Sequence, residues 1–291
     1  MSEIAREIAS QPSCWREAAQ RGAELATVLP RAGTRVGVAG CGTSLYMAQA
    51  YAGLRESLGQ GETDAFPASE APRDRTYETV VAISRSGTTT EVVEYLSEVH
   101  GPRRVAIVGA PGTPVAEAAD EVVCIEFADE RSVVQTRFAT SVMALLRSHL
   151  GEDLDPVIAQ AEHAVDASLP VDLTDHDHYV FLGWGWSIGL ANEAALKLRE
   201  AAQAWTESYP AMEFRHGPIS VAGPRSVVWA LGGVDPAVLD DAAATGATVV
   251  GGTLDPMAEL ILIQRAAVAL AEARGLDPDR PRHLTRSVVL S

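Results

Sequence analysis

Strand-like apolar runs alternate with helix-compatible segments along most of the 291-residue chain. Four runs occur in the first half and three in the second, with helical patterns such as 188–207 and 256–274 among them. This alternation predicts βαβ units and parallel sheets, because two parallel strands need a crossover connection that a helix usually supplies. The predicted strands are 35–40, 79–86, 103–110, 121–127, 178–185, 225–233 and 246–252.

The second half of the chain resembles the first. The stretches "VGVAGCGTSLYMAQAYAGL" and "YVFLGWGWSIGLANEAALKL" each run from an apolar strand through G-x-G-x-S to an Ala-rich helix, and Gly40 and Gly183 occupy equivalent places. We therefore predict an α/β protein with two tandem doubly wound parallel-sheet domains, flavodoxin-like and related by internal duplication. The predicted domains are 1–155, with an N-terminal helix, and 156–291.

The chain is acidic, with 39 Asp and Glu residues against 23 Lys and Arg residues and a formal charge of −16. Without a long basic run, this charge argues against nucleic-acid and anionic-membrane surfaces, so any anion site has to be local. No apolar run approaches the roughly 20 residues that span a bilayer, and the N-terminus lacks the apolar core of a signal peptide. The three cysteines are far apart in the sequence, which fits reduced thiols in a cytoplasmic protein.

Two patterns that resemble metal or cofactor sites are weak. The tract "DHDH" (175–178) precedes a predicted strand, where four polar residues more often form a solvated loop than a metal site. The G-x-G turns lack the full G-x-G-x-x-G pattern, and no acidic residue closes a second strand about 20 positions on, as dinucleotide binding requires. The sequence therefore predicts neither a metal nor a cofactor.

The stretch "SRSGTTT" (84–90) places five hydroxyl residues, a glycine and an arginine between a strand and a helix. At the carboxyl end of a parallel strand, hydroxyls add donors to the outward-pointing N–H groups of the next helix, and arginine adds a charged fork. A second pair, Thr43 and Ser44, follows the first strand. We interpret both as a cradle for an anion such as phosphate, with helix capping as the alternative. The matching stretch of the second half, "WALGGVDP", has no hydroxyl, so phosphate is predicted to bind only in the first half.

Glu193, Lys197 and Glu200 follow one another at i, i+4 and i+7, so they share one face of a predicted helix. Such a stripe is either solvated surface or part of an acid–base site. His216 comes sixteen residues after Glu200, in "EFRHGP", where a Gly-Pro pair constrains the chain. A shielded carboxylate can remove a proton from carbon and an imidazole can donate one near neutral pH, so Glu200 and His216 fit the roles of base and acid.

The pairing of "GCGTS" with "ISRSGTTTE", followed by a degenerate second copy, resembles the sugar isomerase (SIS) family. It is most similar to double-SIS proteins such as the isomerase domain of glucosamine-6-phosphate synthase. The resemblance spans nearly the whole chain and implies a phosphorylated sugar as substrate, with Glu200 as the catalytic base and His216 as the ring-opening histidine. It also implies a homodimer in which this histidine enters the neighbouring subunit's site. The residues that it assigns to the sugar phosphate are Thr43, Ser44, Ser84, Arg85, Ser86 and Thr89.

Further sugar contacts are implied by the same resemblance. The segment "ERSVVQTRFAT" (130–140) matches the one whose backbone and hydroxyls contact the sugar, with Val134, Gln135 and Thr136 at the matching positions. The tail "RPRHLTRSVVLS" has Arg286 where the synthase uses a lysine thought to form a Schiff base, and a guanidinium cannot form that imine. Either the chemistry needs no imine or Lys197 substitutes. We favour the first, because Lys197 has its own counterpart in the synthase helix.

The chain departs from the synthase at its start, where Ser2 stands in place of the glutaminase cysteine. We therefore expect no release of ammonia from glutamine. What remains resembles isomerases or deaminases that act on a hexose 6-phosphate, with an amino-sugar 6-phosphate as the favoured substrate, by enolisation between C1 and C2. The alternatives are a fructosamine-6-phosphate deglycase and, from another class, a non-catalytic sugar-phosphate sensor. A sensor that regulates transcription would usually carry a basic DNA-binding helix-turn-helix, for which the chain has neither room nor charge.

Overall fold

The computed structural model describes residues 1–290, which form two compact units. We call them the N-terminal unit and the C-terminal unit. The N-terminal unit comprises 13–154 and 285–290, and the C-terminal unit comprises 155–284 and 1–12.

The compact units differ from the predicted domains, 1–155 and 156–291, at the two ends of the chain. Hydrogen bonds attach each terminal segment of the chain to the unit that it belongs to. The N–H groups of Glu3 and Ile4 donate to the carboxylate of Asp279, at 2.7 and 2.9 Å, and this bonding ties the first helix to the C-terminal unit. Likewise, the backbone and side chains of 285–290 bond to the turn that follows the third strand.

Ten α-helices lie between or beside the strands of the described chain. Four short 3-10 segments, Ala68–Glu70, Glu126–Ala128, Glu213–His216 and Pro218–Val221, accompany them. The helices are α1 (Glu3–Ala9), α2 (Gln11–Glu24), α3 (Thr43–Ser57), α4 (Thr90–Glu98), α5 (Pro114–Glu117), α6 (Arg137–His149), α7 (Asp155–Asp166), α8 (Ser187–Ala202), α9 (Pro236–Ala244) and α10 (Pro256–Ala273).

The N-terminal unit is built on a parallel sheet whose strands are β1 (Val36–Gly40), β2 (Thr63–Pro67), β3 (Thr79–Ser84), β4 (Arg103–Val108) and β5 (Glu121–Cys124). Their order in the sheet is β2-β1-β3-β4-β5. Every residue of β1 and β3 is buried, as expected for a parallel sheet with helices on both faces. The winding direction reverses between β1 and β3, which is where ligands bind in open α/β sheets.

Aromatic side chains contribute to the core of the N-terminal unit. On the side of α4, the rings of Phe66 and Tyr95 meet edge to face, with centroids 5.6 Å apart. The fully buried Trp15 donates its indole N–H to the hydroxyl of Thr140 in α6, at 2.8 Å. A buried indole needs such an acceptor, so this bond fixes α2 against α6.

The C-terminal unit contains a second parallel sheet, with strands β6 (His178–Gly183), β7 (Thr206–Pro210), β8 (Ser226–Leu231) and β9 (Thr248–Val250). Their order is β7-β6-β8-β9. Apolar side chains of β6 and β8 pack with Phe214 and Val238 in its core. α8 and α10 pack against each other within this unit.

The predicted parallel α/β fold is confirmed, since a strand lies within each of the seven predicted ranges. Two strands were not predicted, β2 ("TDAFP") and β7 ("TESYP"). Each is a half-exposed edge strand that ends in proline, so neither shows an apolar run. The helix predicted over 188–207 ends at Ala202, because Gln203 adopts a left-handed backbone conformation with φ 51°.

Across residues 1–290, no helix has both the length and the apolar character that crossing a membrane requires.

Candidate active site

The two predicted groups of phosphate ligands lie at one edge of the sheet in the N-terminal unit. The turn 84–90 follows β3, and Thr43 and Ser44 begin the helix that follows β1. Because β1 and β3 are adjacent and parallel, both turns lie at the carboxyl ends of neighbouring strands. The starts of α3 and α4 therefore lie at the same edge of the sheet, where helix N–H groups and hydroxyl side chains come together.

Hydroxyl groups organise the turn after β3. The Oγ of Ser84 accepts from the N–H of Gly87, and the Oγ of Ser86 accepts from the N–H of Thr88, both at 3.2 Å. Thr89 has the extended backbone of a helix N-cap, yet its side chain makes no capping hydrogen bond. Helix capping therefore does not account for the Thr89 hydroxyl, which was the alternative interpretation of this turn.

Gly40 allows α3 to begin directly at the end of β1. A Cβ atom there would lie 2.6 Å from the carbonyl carbon of Ser44 and 2.8 Å from the backbone nitrogen of Leu45. Gly183 approaches the start of α8 just as closely. At the end of β1, the close approach of Gly40 to α3 leaves the side chains of Thr43 and Ser44 buried in the first turn of that helix.

Arg85 is buried, and its guanidinium bonds to backbone carbonyls. It donates to the carbonyls of Ser132 and Arg286, both at 2.7 Å, and to that of Val133 at 3.3 Å. These bonds join the turn after β3 to two other segments of the N-terminal unit. The predicted role of Arg85 as a phosphate ligand stays a prediction, whereas its positioning of these segments is visible.

The segment that precedes α6 is held by the buried carboxylate of Glu130, a residue that the sequence did not single out. One oxygen, Oε1, accepts from the N–H and hydroxyl of Thr136, at 2.6 and 2.8 Å, and from the N–H of Arg137, at 2.8 Å. A carboxylate at a helix start satisfies N–H groups that have no partner within the helix. The position of Glu130, a few residues before a helix, was the available signal.

The three predicted sugar contacts in this segment differ in their surroundings. The Val134 side chain is buried, and the Thr136 hydroxyl is bonded to Glu130. Gln135 differs from the other two, because the buried Oε1 of its side-chain amide has no hydrogen-bond partner among the described residues. An unpaired buried acceptor is costly, so Gln135 is the member of this group that is best suited to contact a ligand.

Arg286 is held by the residues after β5. Its guanidinium contacts the carboxylate of Asp129, with 2.6 Å between Nη2 and Oδ1, and donates to the carbonyl of Glu130. The neighbouring Ser287 lies beside the turn that follows β3, where its Oγ is 2.8 Å from the Thr88 hydroxyl. Like Glu130, Asp129 was not predicted from the sequence.

The charged stripe on α8 lies in the C-terminal unit and is buried. The side chains of Glu193 and Lys197 are 1% exposed and that of Glu200 is 18% exposed, so solvated surface does not describe this stripe. The Lys197 ammonium is 3.2 Å from Glu193 Oε1 and 2.5 Å from Glu200 Oε2. Burial alone would lower the pKa of Lys197, but the two carboxylates raise it above its ordinary value, so the ammonium stays charged.

His216 ends a short 3-10 segment of the C-terminal unit and is exposed. The buried Phe214 anchors this segment in the core, and Gly217 follows with φ 144°. The acid–base candidates Glu200 and His216 therefore lie in the C-terminal unit, and the predicted phosphate ligands lie in the N-terminal unit.

Residues 30–148 match the SIS domain. The chain is 26% identical over 337 residues to the glutamine–fructose-6-phosphate aminotransferase (isomerizing) of Methanothermobacter thermautotrophicus, in an alignment that covers 98% of the chain. It is 24% identical to the enzyme of the same name from Thermotoga maritima, with 88% covered. The chain spans only 57% and 52% of the lengths of these two relatives.

Two solved structures have the same fold over almost the whole chain. A glucosamine-6-phosphate deaminase from Thermotoga maritima superposes with a TM-score of 0.86 and 25% identity, covering 99% of this chain and 100% of that one. The tagatose-6-phosphate ketose/aldose isomerase of Escherichia coli superposes with a TM-score of 0.76 over 98% and 97% of the two chains, and at 19% identity this likeness concerns the fold alone. The family match covers one SIS domain, so a second copy stays a prediction. The similarity to the SIS family is thus shown for residues 30–148.

Proposed function

We propose that the chain is an enzyme that acts on a hexose 6-phosphate, with an amino-sugar 6-phosphate as the favoured substrate. One observation carries this proposal. At one edge of the N-terminal sheet, α3 and α4 both begin, and the hydroxyl residues Ser86, Thr88 and Thr89 lie in the turn before α4. Helix N–H groups and hydroxyls can bind a phosphate dianion without a basic surface, which suits a chain with a charge of −16. The sugar phosphates in the names of the relatives support the same substrate class.

The cradle in this proposal keeps its six predicted members. Thr43 and Ser44 act from the start of α3, and Ser84, Ser86 and Thr89 act from the turn before α4. Arg85 acts chiefly through position, since its guanidinium donates to backbone carbonyls of two other segments in the N-terminal unit.

The chemical step in this proposal is proton transfer between neighbouring carbons. Glu200 removes the proton from C2 of the open-chain sugar, an enediol or enolamine forms between C1 and C2, and a proton is added at C1. His216 protonates the ring oxygen when the ring opens. With an amino group at C2 the product is a ketimine, and addition of water to its C2 releases ammonia and leaves the ketose 6-phosphate. Lys197 contacts Glu200 and fixes the orientation of its carboxylate.

The reaction in this proposal proceeds without an imine to the protein. Arg286 cannot form one, and its guanidinium is bonded to Asp129 and Glu130. Lys197 is poorly suited, since an amine must lose its proton before it attacks a carbonyl and the two carboxylates raise its pKa. Both observations favour the alternative in which no lysine substitutes for the missing one.

The proposal includes a homodimer and an internal duplication. His216 is exposed on a segment anchored by Phe214, which suits a side chain presented to a neighbouring subunit.

The strand orders β2-β1-β3-β4 and β7-β6-β8-β9 follow one pattern, with the second strand of each series at an edge and the first beside it. This correspondence supports two copies of one ancestral unit.

The test is a panel of substrates. The purified protein is incubated with hexose 6-phosphates, amino-sugar 6-phosphates and fructosamine 6-phosphates, and ammonia, amino acid and ketose 6-phosphate are assayed together. The proposal predicts a ketose 6-phosphate from an aldose or amino-sugar 6-phosphate, with ammonia where the substrate carries an amino group. Amino-acid release would instead indicate a deglycase. Ligand-induced thermal stabilisation without any product would indicate a sensor and contradict the proposal.

A further inference from the structure

The segment 286–290 lies along the turn 84–90 within the N-terminal unit. Hydrogen bonds connect the two at residues 286, 288 and 290 of the segment. The Arg85 guanidinium donates to the Arg286 carbonyl at 2.7 Å, the Thr90 N–H donates to the Val288 carbonyl at 3.3 Å, and the Leu290 N–H donates to the Thr90 hydroxyl at 2.9 Å. The segment is therefore bonded along its length to the same turn that is proposed to bind phosphate.

Ser287 lies against the turn 84–90, beside the cradle residue Ser86 and its neighbour Thr88. Its Oγ is 2.8 Å from the Thr88 hydroxyl and 3.1 Å from the Ser86 hydroxyl, and both can donate to it. The Val288 carbonyl accepts from Thr90, the first residue of α4, where a helix has N–H groups without internal partners. Two oxygens of segment 286–290 thus bond to donors that an anion would use.

A salt bridge fixes the start of this segment. The Arg286 guanidinium contacts the Asp129 carboxylate and the Glu130 carbonyl, and the Arg286 carbonyl accepts from Arg85. The segment and the turn are therefore held from both ends, by Arg286 at one end and by Leu290 at the other.

We infer that segment 286–290 is an internal occupant of the anion site, and that Ser287 and Val288 must leave their donors before a phosphate group can bind. The inference rests on the proposed function, since it takes the cradle to be a phosphate site. A donor hydroxyl cannot give its one proton to Ser287 and to a phosphate oxygen at once. The apparent affinity for phosphate is therefore lowered by the fraction of molecules in which the segment is bound.

The contrasting arrangement is a segment that closes over the ligand and adds contacts to it. The two arrangements predict opposite effects of the same substitution. If the segment competes, weakening its contact with the cradle improves phosphate binding. If it covers the ligand, the same change weakens binding.

The test compares the affinities of three full-length variants and the wild type for inorganic phosphate and for glucosamine 6-phosphate, measured by calorimetry. Ser287→Ala removes both hydroxyl contacts and should tighten binding about three- to tenfold, the worth of one or two hydrogen bonds. Ser287→Asp places a carboxylate among the donors and should weaken binding. Val289→Ala is the matched control, because the exposed Val289 side chain has no described contact with the cradle, and it should bind as the wild type does.

Amide hydrogen exchange gives a second, independent readout. The Leu290 N–H is bonded to Thr90 in the segment-bound state, so a saturating phosphate concentration should speed its exchange. Slower exchange at Leu290 with phosphate would mean that the segment closes over the anion, and it would overturn the inference.

The results separate the inference from the proposed function. Equal phosphate affinities in the wild type, Ser287→Ala and Ser287→Asp, or weaker binding by Ser287→Ala, would refute the internal occupant and leave the phosphate site standing. No binding of either ligand by any of the four proteins would refute the phosphate site, and the inference would fall with it.

Discussion

Lys197 keeps a positive charge in the interior of the C-terminal unit because two carboxylates flank it on the same face of α8. A buried ammonium would otherwise lose its proton or destabilise the fold. The pairing has a chemical consequence, since the raised pKa makes Lys197 a poor nucleophile and a good partner for the Glu200 carboxylate. This favours Glu200 as the reacting group, with Lys197 as the residue that positions it.

Glu259 provides a pH-dependent prediction at the scale of one residue. Burial raises its pKa above the ordinary value of 4.5, although the 2.7 Å bond from the Trp229 indole N–H opposes the shift. Between the ordinary pKa and the raised one, the folded state keeps a proton that the unfolded chain has lost, so stability falls as pH rises through this window. Glu259→Gln cannot titrate, and its Tm minus that of the wild type should therefore increase with pH across the window.

The measurement is thermal unfolding of both proteins from pH 4 to pH 8. Any pH-independent offset between them reports the changed hydrogen bonds to Trp229 and the backbone. Glu272→Gln, an exposed position on the same helix α10, is the control and should follow the wild type. A constant Tm difference between Glu259→Gln and the wild type would contradict the prediction.

The sequence predicted some of the candidate site and missed the rest for a physical reason. Hydroxyl residues at a strand end and charges at i, i+4 and i+7 are local patterns, so 84–90 and the α8 stripe could be found. The roles of Asp129 and Glu130 depend on which segments the fold brings to them, such as Arg286 more than 150 residues away. Such partnerships have no local signature in the chain.

At the scale of elements, Gly40 sets how closely α3 follows β1. Gly40→Ala would place a Cβ 2.6 Å from backbone atoms of Ser44, so the start of α3 must shift. We expect a loss of stability of about 1–3 kcal/mol, as for overpacked sites. We also expect weaker sugar-phosphate binding, because Thr43 and Ser44 move with the helix. Denaturant unfolding and calorimetric titration measure the two effects.

The matched control is Gly223→Ala, where an added Cβ meets no atom within 4 Å and the backbone has no left-handed φ. This variant should keep the affinity and stability of the wild type. Wild-type phosphate binding by Gly40→Ala, despite a loss of stability, would mean that the start of α3 takes no part in the cradle.

The elements themselves were largely predictable. A strand that is buried on both faces, such as β3 or β6, is an apolar run, and the apolar residues of the helices between the strands recur about every 3.6 residues. The edge strands β2 and β7 were not predictable from the sequence, since their residues are held by pairing with β1 and β6 rather than by burial. The end of α8 was misplaced because Gln203, a residue without special turn propensity, takes the left-handed conformation.

At the scale of the whole molecule, the two ends of the chain belong to units other than those that their order suggests. Asp279 draws 1–12 into the C-terminal unit, and Arg286 and Leu290 attach 285–290 to the N-terminal unit. Periodic patterns in the sequence do not indicate which unit such a terminal segment packs against. The proposed function assigns the proton transfer to the Glu200 carboxylate of α8, and this role is its central claim.

The most direct test of that claim is the Glu200→Gln variant, assayed for turnover and for binding of the sugar phosphate that the panel identifies. Loss of the base should lower kcat about 100- to 10,000-fold, while the dissociation constant stays near that of the wild type because the cradle is intact. Glu272→Gln serves as the control and should retain full activity. Wild-type turnover by Glu200→Gln would contradict the account.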